Sequence, residues 1–208
     1  MSGVTTRPYR SDLRAQQAEL TRTAIADAAR AAFVEHGWSG TSIRLVAETA
    51  GVSEATVYAV YGSKAGLAGS LIDTVDAQAD VARIRGELEA AKGDPHTQLG
   101  AFVGFDRRLF ERGGDVIRLI VEAGRDQPEL AKVAAEGRGR GESNRRQTFS
   151  TWPKRVWRKG VDVDRALDVY AVLVNIGTYD EAVAIRGWSA DAVETWWRES
   201  LTEQLLSS

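Results

Sequence analysis

Apolar residues recur at helical spacing between Thr41 and Leu67 and outline two short helices with a turn between them. The first helix has apolar residues at positions i, i+3, i+4 and i+7, namely Ile43, Val46, Ala47 and Ala50. Gly51 follows, where a helix end commonly takes a left-handed residue. Ser53 is a good N-cap for the second helix, and Glu54 lies in its positively polarised first turn. Two helices joined by a tight turn containing glycine predict a helix-turn-helix.

The second helix of this pair has a small inward face. Val57 and Tyr61, four residues apart, are predicted to point into the core. This leaves an outward face of small and hydrogen-bonding residues: Glu54, Ala55, Thr56, Tyr58 and Ala59. In a helix-turn-helix the N-terminal part of the second helix faces the base edges of the major groove. The alternative is a helical hairpin used only for packing, which does not require outward serine, threonine and tyrosine.

The residues of this stretch resemble the DNA-binding signature of TetR-family regulators. The resemblance covers roughly residues 22–75 and is strengthened upstream by Gly37-Trp38 and downstream by Ser63-Lys64 with Leu67 three residues later. It is carried by Thr41-Ser42-Ile43-Arg44, Val46-Ala47, Ala50-Gly51-Val52-Ser53, Thr56-Val57-Tyr58, Tyr61 and Ser63-Lys64. The chain departs from the family pattern at Ala59, Val60 and Gly62, so the operator sequence does not carry over.

The resemblance and the helical phase together predict the DNA-contacting residues. The predicted base-facing residues are Ser53, Glu54, Ala55, Thr56 and Ala59. The predicted backbone-contacting residues are Thr41, Ser42, Arg44, Tyr58 and Lys64. For Arg44 the alternative is a solvated surface charge, and for Tyr58 it is a buried ring.

The N-terminal region is expected to contain a tail followed by one helix. Residues 1–14 contain Pro8 and three arginines without an apolar period, which favours a flexible arm. Such an arm is either disordered or touches DNA phosphates or a minor groove. A helix is predicted from about residue 16 to His36, ending at Gly37. Residues 15–65 are therefore assigned to the DNA-binding domain.

Helical patterns also dominate residues 66–208, which we assign to an effector-binding and dimerisation domain. A fourth helix is expected to run from Lys64 past Val81 towards Ala91. Further helices are predicted on either side of Gly113-Gly114, which is expected to separate them, and then over about residues 130–157. The glycine-arginine alternation at residues 137–141 is too short for an RNA-binding segment and favours a solvated helix or loop.

Two apolar helices are predicted at the C-terminal end, one from Arg165 to about Ile185 and one from Ala190 to Leu206. The stretch Asp162-Val163-Asp164 is expected to cap the first. Two such helices from each subunit suit a symmetric four-helix dimer interface. The residues predicted to form it are Leu167, Leu173, Val193, Trp196, Trp197 and Leu201. Packing within one chain is the alternative.

The aromatic residues of the second half predict a small-molecule cavity within the helical bundle. The candidate lining consists of Phe102, Phe105, Leu109, Ile117, Trp152, Tyr170, Val174 and Tyr179. Each of these residues also suits an ordinary hydrophobic core. The cavity hypothesis rests on the set as a whole and on the resemblance, because TetR-like proteins bind an effector in this region.

Composition narrows the function further. The 208 residues are 43% hydrophobic and 27% charged, which suits a protein with a substantial core. There is no cysteine, and the two histidines, His36 and His96, have no paired ligand motif, so we expect neither a metal nor another cofactor. The sequence has no catalytic motif, signal peptide or long apolar run, so a cytoplasmic protein without enzymatic activity is expected. The net charge of −2 favours a few placed phosphate contacts over strong non-specific binding.

The sequence therefore predicts an all-α homodimeric transcription regulator. It is expected to bind a pseudo-palindromic operator as a repressor, with recognition helices about 34 Å apart or one further turn. A small-molecule effector is expected to release it by moving the fourth helix, with a coupling of about 1–3 kcal/mol. The alternative is a helical ligand-binding or dimeric scaffold protein with a vestigial DNA module.

Overall fold

The computed structural model describes the backbone of residues 7–78 and 81–207, and the side chains of residues 13–74 and 81–207. Within these residues the regular structure is helical, and the prediction of an all-α fold is confirmed. The chain divides into two compact units, Met1–Leu71 and Ile72–Ser208. This division falls a few residues after the predicted boundary at 65–66 because the fourth helix, Lys64–Gln78, begins in the first unit and continues into the second.

The first unit contains α1 (Arg7–Gly40), α2 (Ile43–Ala50), α3 (Glu54–Tyr61) and the start of α4 (Lys64–Gln78). The helix α1 begins at Arg7, so the prediction of a flexible arm over residues 1–14 is wrong for residues 7–14. Pro8 suits the first turn of a helix, and residues 9–36 contain no glycine or proline to interrupt it. The remaining part of the predicted arm, residues 1–6, lies outside the described residues.

A left-handed residue ends α1 where the sequence predicted. Gly37 has φ 66° and ψ −175°, which breaks the helical path near the end of α1. The chain then returns, and the ring of Trp38 stacks on that of Phe33 with centroids 5.6 Å apart. The core beneath contains Ile25, Ala28, Ala29, Ala32 and Phe33 from α1 together with Ile43, Val46, Ala47, Val57 and Leu67.

The second unit contains the end of α4 and six further α-helices among the described residues. They are α5 (Val81–Ala91), α6 (Pro95–Ala123), α7 (Pro128–Phe149), α8 (Val163–Leu173), α9 (Ile176–Asp180) and α10 (Ala190–Leu205). A 3₁₀ turn at Lys154–Val156 follows α7, and a π-helical turn at Glu181–Ile185 follows α9. The predicted long fourth helix is thus described as α4 and α5, with residues 79–80 outside the described part. The glycine-arginine segment at 137–141 lies within α7, in agreement with the solvated-helix prediction.

Gly113 and Gly114 do not separate two helices, and that prediction is wrong. The helix α6 runs through both, and both are buried. A Cβ atom at Gly114 would lie 3.1 Å from Nη1 of Arg118 and 3.3 Å from Cδ1 of Ile176. The missing side chain therefore permits close packing of α6 against α9, which compensates the low helix propensity of glycine.

The predicted helix from Arg165 to Ile185 is interrupted, which is a second correction. Within the stretch predicted to cap it, Asp162 is the N-cap, since its side chain accepts a hydrogen bond of 2.8 Å from the backbone N–H of Arg165. The helix α8 ends at Leu173, and Asn175 then caps α9 through a capping box with Thr178. An apolar run in the sequence does not show this break, because the cap depends on two polar residues within it.

One buried carboxylate connects three helices of the second unit. Asp106 of α6 accepts a hydrogen bond of 2.7 Å from the Tyr170 hydroxyl of α8 and one of 3.1 Å from Nη1 of Arg145 of α7. The Arg145 guanidinium also lies 4.4 Å from the centre of the Tyr170 ring. Burial, followed by the negative charge of Asp106, raises the pKa of Tyr170 well above its ordinary value. The phenol therefore stays neutral and donates to the carboxylate.

Candidate nucleic-acid interface

The outer face of α3 presents a contiguous set of exposed side chains. Glu54, Ala55, Tyr58 and Ala59 are all exposed, and the ring of Tyr58 is 50% exposed. The helix is held from its other side by Val57, which is buried, and Tyr61, whose hydroxyl donates to the Arg22 carbonyl oxygen of α1 at 3.1 Å. The helix therefore turns Val57 towards the core and Tyr58 towards solvent, as the sequence predicted.

The first turn of α3 uses two of the predicted base-facing residues as a cap. The Ser53 hydroxyl oxygen accepts a hydrogen bond of 3.1 Å from the Thr56 backbone N–H. The two hydroxyl oxygens, of Ser53 and Thr56, lie 2.8 Å apart and are hydrogen-bonded to each other. Ser53 is exposed and Thr56 half-buried. Their hydroxyls stabilise the helix start.

The start of α2 adds two exposed groups. Ser42 caps this helix by accepting a hydrogen bond of 3.1 Å from the Leu45 backbone N–H. Arg44 is 75% exposed, and its Nε atom lies 2.8 Å from Oε1 of Glu48. The hydrogen bond to Glu48 and the negative charge of that residue raise the pKa of Arg44. The guanidinium is charged and accessible, but it already has one carboxylate partner.

Two predicted phosphate ligands are occupied inside the first unit. Thr41 is buried, and its hydroxyl donates to the carbonyl oxygens of Ala32 and Gly37 at 2.9 and 2.8 Å, so the prediction of a phosphate contact from this hydroxyl is wrong. The Lys64 ammonium donates to the Trp38 carbonyl oxygen and lies 4.2 Å from the centre of the Trp38 ring. Partial burial lowers the pKa of Lys64. Both side chains fix the segment after α1, which sequence spacing did not indicate.

The predicted effector-lining residues divide between the packed core of the second unit and the half-buried positions of α6. Five of them belong to the packed core of the second unit: Phe102, Trp152, Tyr170, Val174 and Tyr179. The other three, Phe105, Leu109 and Ile117, are half-buried along α6. A surface pocket of about 560 Å³, open to solvent, lies at the start of α10 instead. It is lined by Trp188, Asp191, Ala192, Thr195, Trp196 and Glu199. The aromatic residues were correctly placed in the bundle, but they fill its interior.

Most of the predicted dimer residues are also used within the chain. Leu167, Val193, Trp197 and Leu201 are buried in the same core, so the prediction that they face a second subunit is wrong. Leu173 and Trp196 are half-buried. The sequence reasoning missed the residues that are exposed instead: Val172 (76%), Ile185 (69%) and Trp188 (41%). Both helices are apolar on more than one side, and periodicity did not separate the inner side from the outer one.

Other functional classes find little support in the described residues. No group of three or more histidine, cysteine, aspartate or glutamate side chains is arranged to hold a metal ion in residues 13–74 and 81–207. Within that same part of the chain, none of the helices combines the length and apolar character needed to cross a membrane.

A family model described as bacterial regulatory proteins of the tetR family matches residues 25–71. No curated protein matches the chain. Solved structures share the fold over nearly the whole chain.

NalD of Pseudomonas aeruginosa, the secondary repressor of the MexAB-OprM multidrug efflux pump, is 21% identical with a TM-score of 0.72, covering 92% of this chain and 98% of its own. FadR of Bacillus subtilis, in complex with stearoyl-CoA, is 16% identical with a TM-score of 0.70, covering 86% and 97%. A putative regulator from Saccharomonospora viridis, in complex with choline, is 18% identical with a TM-score of 0.68, covering 90% and 98%. Residues 25–71, which contain the helix-turn-helix with its exposed α3 face, therefore match the DNA-binding module of the tetR family of bacterial regulatory proteins, and the whole chain shares its fold with these solved regulators.

Proposed function

We propose that the protein is a sequence-specific repressor that binds a pseudo-palindromic operator as a homodimer and leaves it when a small molecule binds. The observation that carries this proposal is the exposed face of α3 beside the accessible Arg44 and Ser42 of α2. Base edges are read from such a helix, and the flanking groups position it on the DNA backbone. A repressor acts on the chromosome, so the cytoplasm is its proposed location.

The backbone contacts are assigned to Ser42, Arg44 and Tyr58. Arg44 supplies the positive charge, while the hydroxyls of Ser42 and Tyr58 donate to phosphate oxygens. The test is selection of bound fragments from genomic DNA, followed by titration of the selected site at several salt concentrations. Arg44→Ala is expected to reduce the slope of log K against log salt by about one and to weaken all sequences similarly.

The scaffold alternative gives a different result in the same experiment. A vestigial DNA module would enrich no sequence, and Arg44→Ala or Tyr58→Ala would leave both binding and dimerisation unchanged. Enrichment of one pseudo-palindrome that is weakened by both substitutions, with the dimer intact, supports the repressor. These two substitutions are surface changes, since Arg44 and Tyr58 are both exposed.

The dimer interface is assigned to three exposed apolar residues near the C-terminal end of the second unit, Val172, Ile185 and Trp188, together with the half-buried Trp196. The rings of Trp188 and Trp196 already pack edge to face with centroids 5.6 Å apart. Val172→Asp is expected to produce monomers in sedimentation velocity, because the charge would be buried in the interface. Val34→Asp is the matched control, since Val34 is also exposed (61%) but lies in the first unit, and it should remain dimeric.

The effector is proposed to bind in the second unit. Proteins of this fold have been solved in complex with ligands as different as stearoyl-CoA and choline. The core of this unit is packed around Phe102, Tyr170 and Trp197, so binding there requires side chains to move. We would measure thermal stability and operator release with an acyl-CoA and a quaternary ammonium panel. A ligand at about one hundred times its dissociation constant stabilises by about 2.7 kcal/mol, which is readily measured. Absence of any shift and of any release would refute an effector of these two classes.

A further inference from the structure

The recognition face of α3 carries one charged group, and that group is negative. Glu54 is the only charged residue in the helix Glu54–Tyr61, and it is exposed at the first position. Among the described residues it makes no hydrogen bond or ion pair, although its charge contributes to raising the pKa of Arg44. The other exposed side chains of α3 are the methyl groups of Ala55 and Ala59, the Tyr58 phenol and Val60.

A free carboxylate at the start of a recognition helix is repelled by DNA phosphates unless a base offers it a hydrogen-bond donor. In the major groove the donors are the amino groups at cytosine N4 and adenine N6. Adenine also presents the acceptor N7 beside its amino group, and this atom would face the second carboxylate oxygen. Cytosine presents only the donor, so it is the base that fits a carboxylate.

The neighbouring methyl groups suit a different base. Ala55 and Ala59 lie four residues apart on one side of the helix, and both are exposed. Neither can form a side-chain hydrogen bond. Apolar side chains on a recognition helix contact the C5-methyl group of thymine, which other natural DNA bases lack unless they are methylated.

We propose that Glu54 is a specificity-determining residue that selects cytosine at one position of each operator half-site, with thymine beside it against Ala55 and Ala59. This inference rests on the proposed operator-binding function. It also means that the protein discriminates by exclusion: guanine and thymine offer the Glu54 carboxylate no donor in the major groove, and adenine places its N7 acceptor against the second carboxylate oxygen.

The test is binding-site selection from a random duplex pool with the full-length wild type and with Glu54→Gln. The wild type is expected to enrich cytosine at one symmetric position in both half-sites, about tenfold over other bases. Glu54→Gln is expected to enrich adenine there, because an amide pairs with adenine N6 and N7, and to keep the other positions. Circular dichroism checks that the helical content and melting behaviour of the variant match those of the wild type.

Glu48→Gln is the matched control for charge. This substitution makes the same chemical change, carboxylate to amide, on the neighbouring helix α2, where Glu48 is paired with Arg44. It should leave the cytosine preference unchanged. Retention of cytosine by Glu54→Gln, or a wild-type site with neither cytosine nor thymine at these positions, overturns the inference while the repressor assignment stands. Failure of the wild type to enrich any sequence overturns the proposed function and this inference with it.

The thymine contact has its own test. Replacing the selected thymines by deoxyuridine removes one methyl group at each and is expected to weaken wild-type binding about fourfold per contact. Ala55→Gly should make binding less sensitive to the replacement, since the methyl group on the protein side is then absent. Equal affinity of the wild type for both duplexes would refute the role of the alanine methyl groups.

Discussion

Replacing Tyr170 by phenylalanine removes one hydroxyl from the buried contact that joins α6, α7 and α8. The hydroxyl donates to Asp106 at 2.7 Å, and Tyr170 is buried with 1% of its surface exposed. Phenylalanine keeps the ring, so the change creates almost no cavity and leaves the ring beneath Arg145. What is lost is a hydrogen bond to a charged group, worth about 1.5–3 kcal/mol. The free energy of unfolding should fall by about 2 kcal/mol and the melting temperature by about 6 °C.

Tyr179→Phe is the matched control. Tyr179 is buried in the same core with 6% exposure, and within the described residues its hydroxyl makes no hydrogen bond. Its removal should change stability by less than about 0.5 kcal/mol. Both variants would be unfolded in urea and by heating, with circular dichroism as the signal and the slope against denaturant compared to check that the same surface unfolds. An equal loss in the two variants would show that the Asp106 contact does not stabilise the fold, and the account of the buried carboxylate would be wrong.

Three smaller predictions concern charges and glycines. Lys64→Met should lower the melting temperature but leave the salt slope of operator binding unchanged, because the ammonium is held by Trp38; a slope reduced by about one would restore Lys64 as a phosphate contact. Gly137→Ala, with no atom within 4 Å of the new methyl group, should stabilise by about 0.5–1 kcal/mol, whereas Gly114→Ala should give a net loss in the same urea titration. The free energy of unfolding should decrease as the pH rises above about 10, because tyrosine ionises there in the unfolded chain while burial raises the pKa of Tyr170 in the folded one. Tyr170→Phe should make this decrease smaller. An equal decrease in the variant and the wild type would contradict the prediction.

The predictions that held depend on neighbours close in the chain. Gly51 ends α2 with φ 68°, and Ser53 caps α3 through the backbone N–H of Thr56, as their residue types indicated. The inward phase of Val57 and the outward phase of Tyr58 follow from helical geometry alone. These local features determine which face of α3 is exposed, and they can be predicted without knowing which residues pack behind the helix.

The contacts that the sequence did not indicate connect residues that are distant in the chain. Lys64 has the spacing of a phosphate ligand, yet its ammonium binds the Trp38 carbonyl oxygen, 26 residues earlier. Gly114 looks like a helix end, yet it lies inside α6 because Ile176 occupies the space of its missing side chain. At Gly114, packing made on folding outweighed a local preference of about 1 kcal/mol against glycine in a helix.

The order of apolar and capping residues was therefore sufficient to predict the helix-turn-helix, the all-α class and the exposed face of α3. Which apolar residues of the second unit form its core and which face outward was decided by packing. Trp197 and Trp196 are adjacent and equally apolar, but the first is fully buried and the second is half-buried beside Trp188. A helix that is apolar on several sides has no phase that chooses between them, so the choice depends on how α10 packs against α6 and α8.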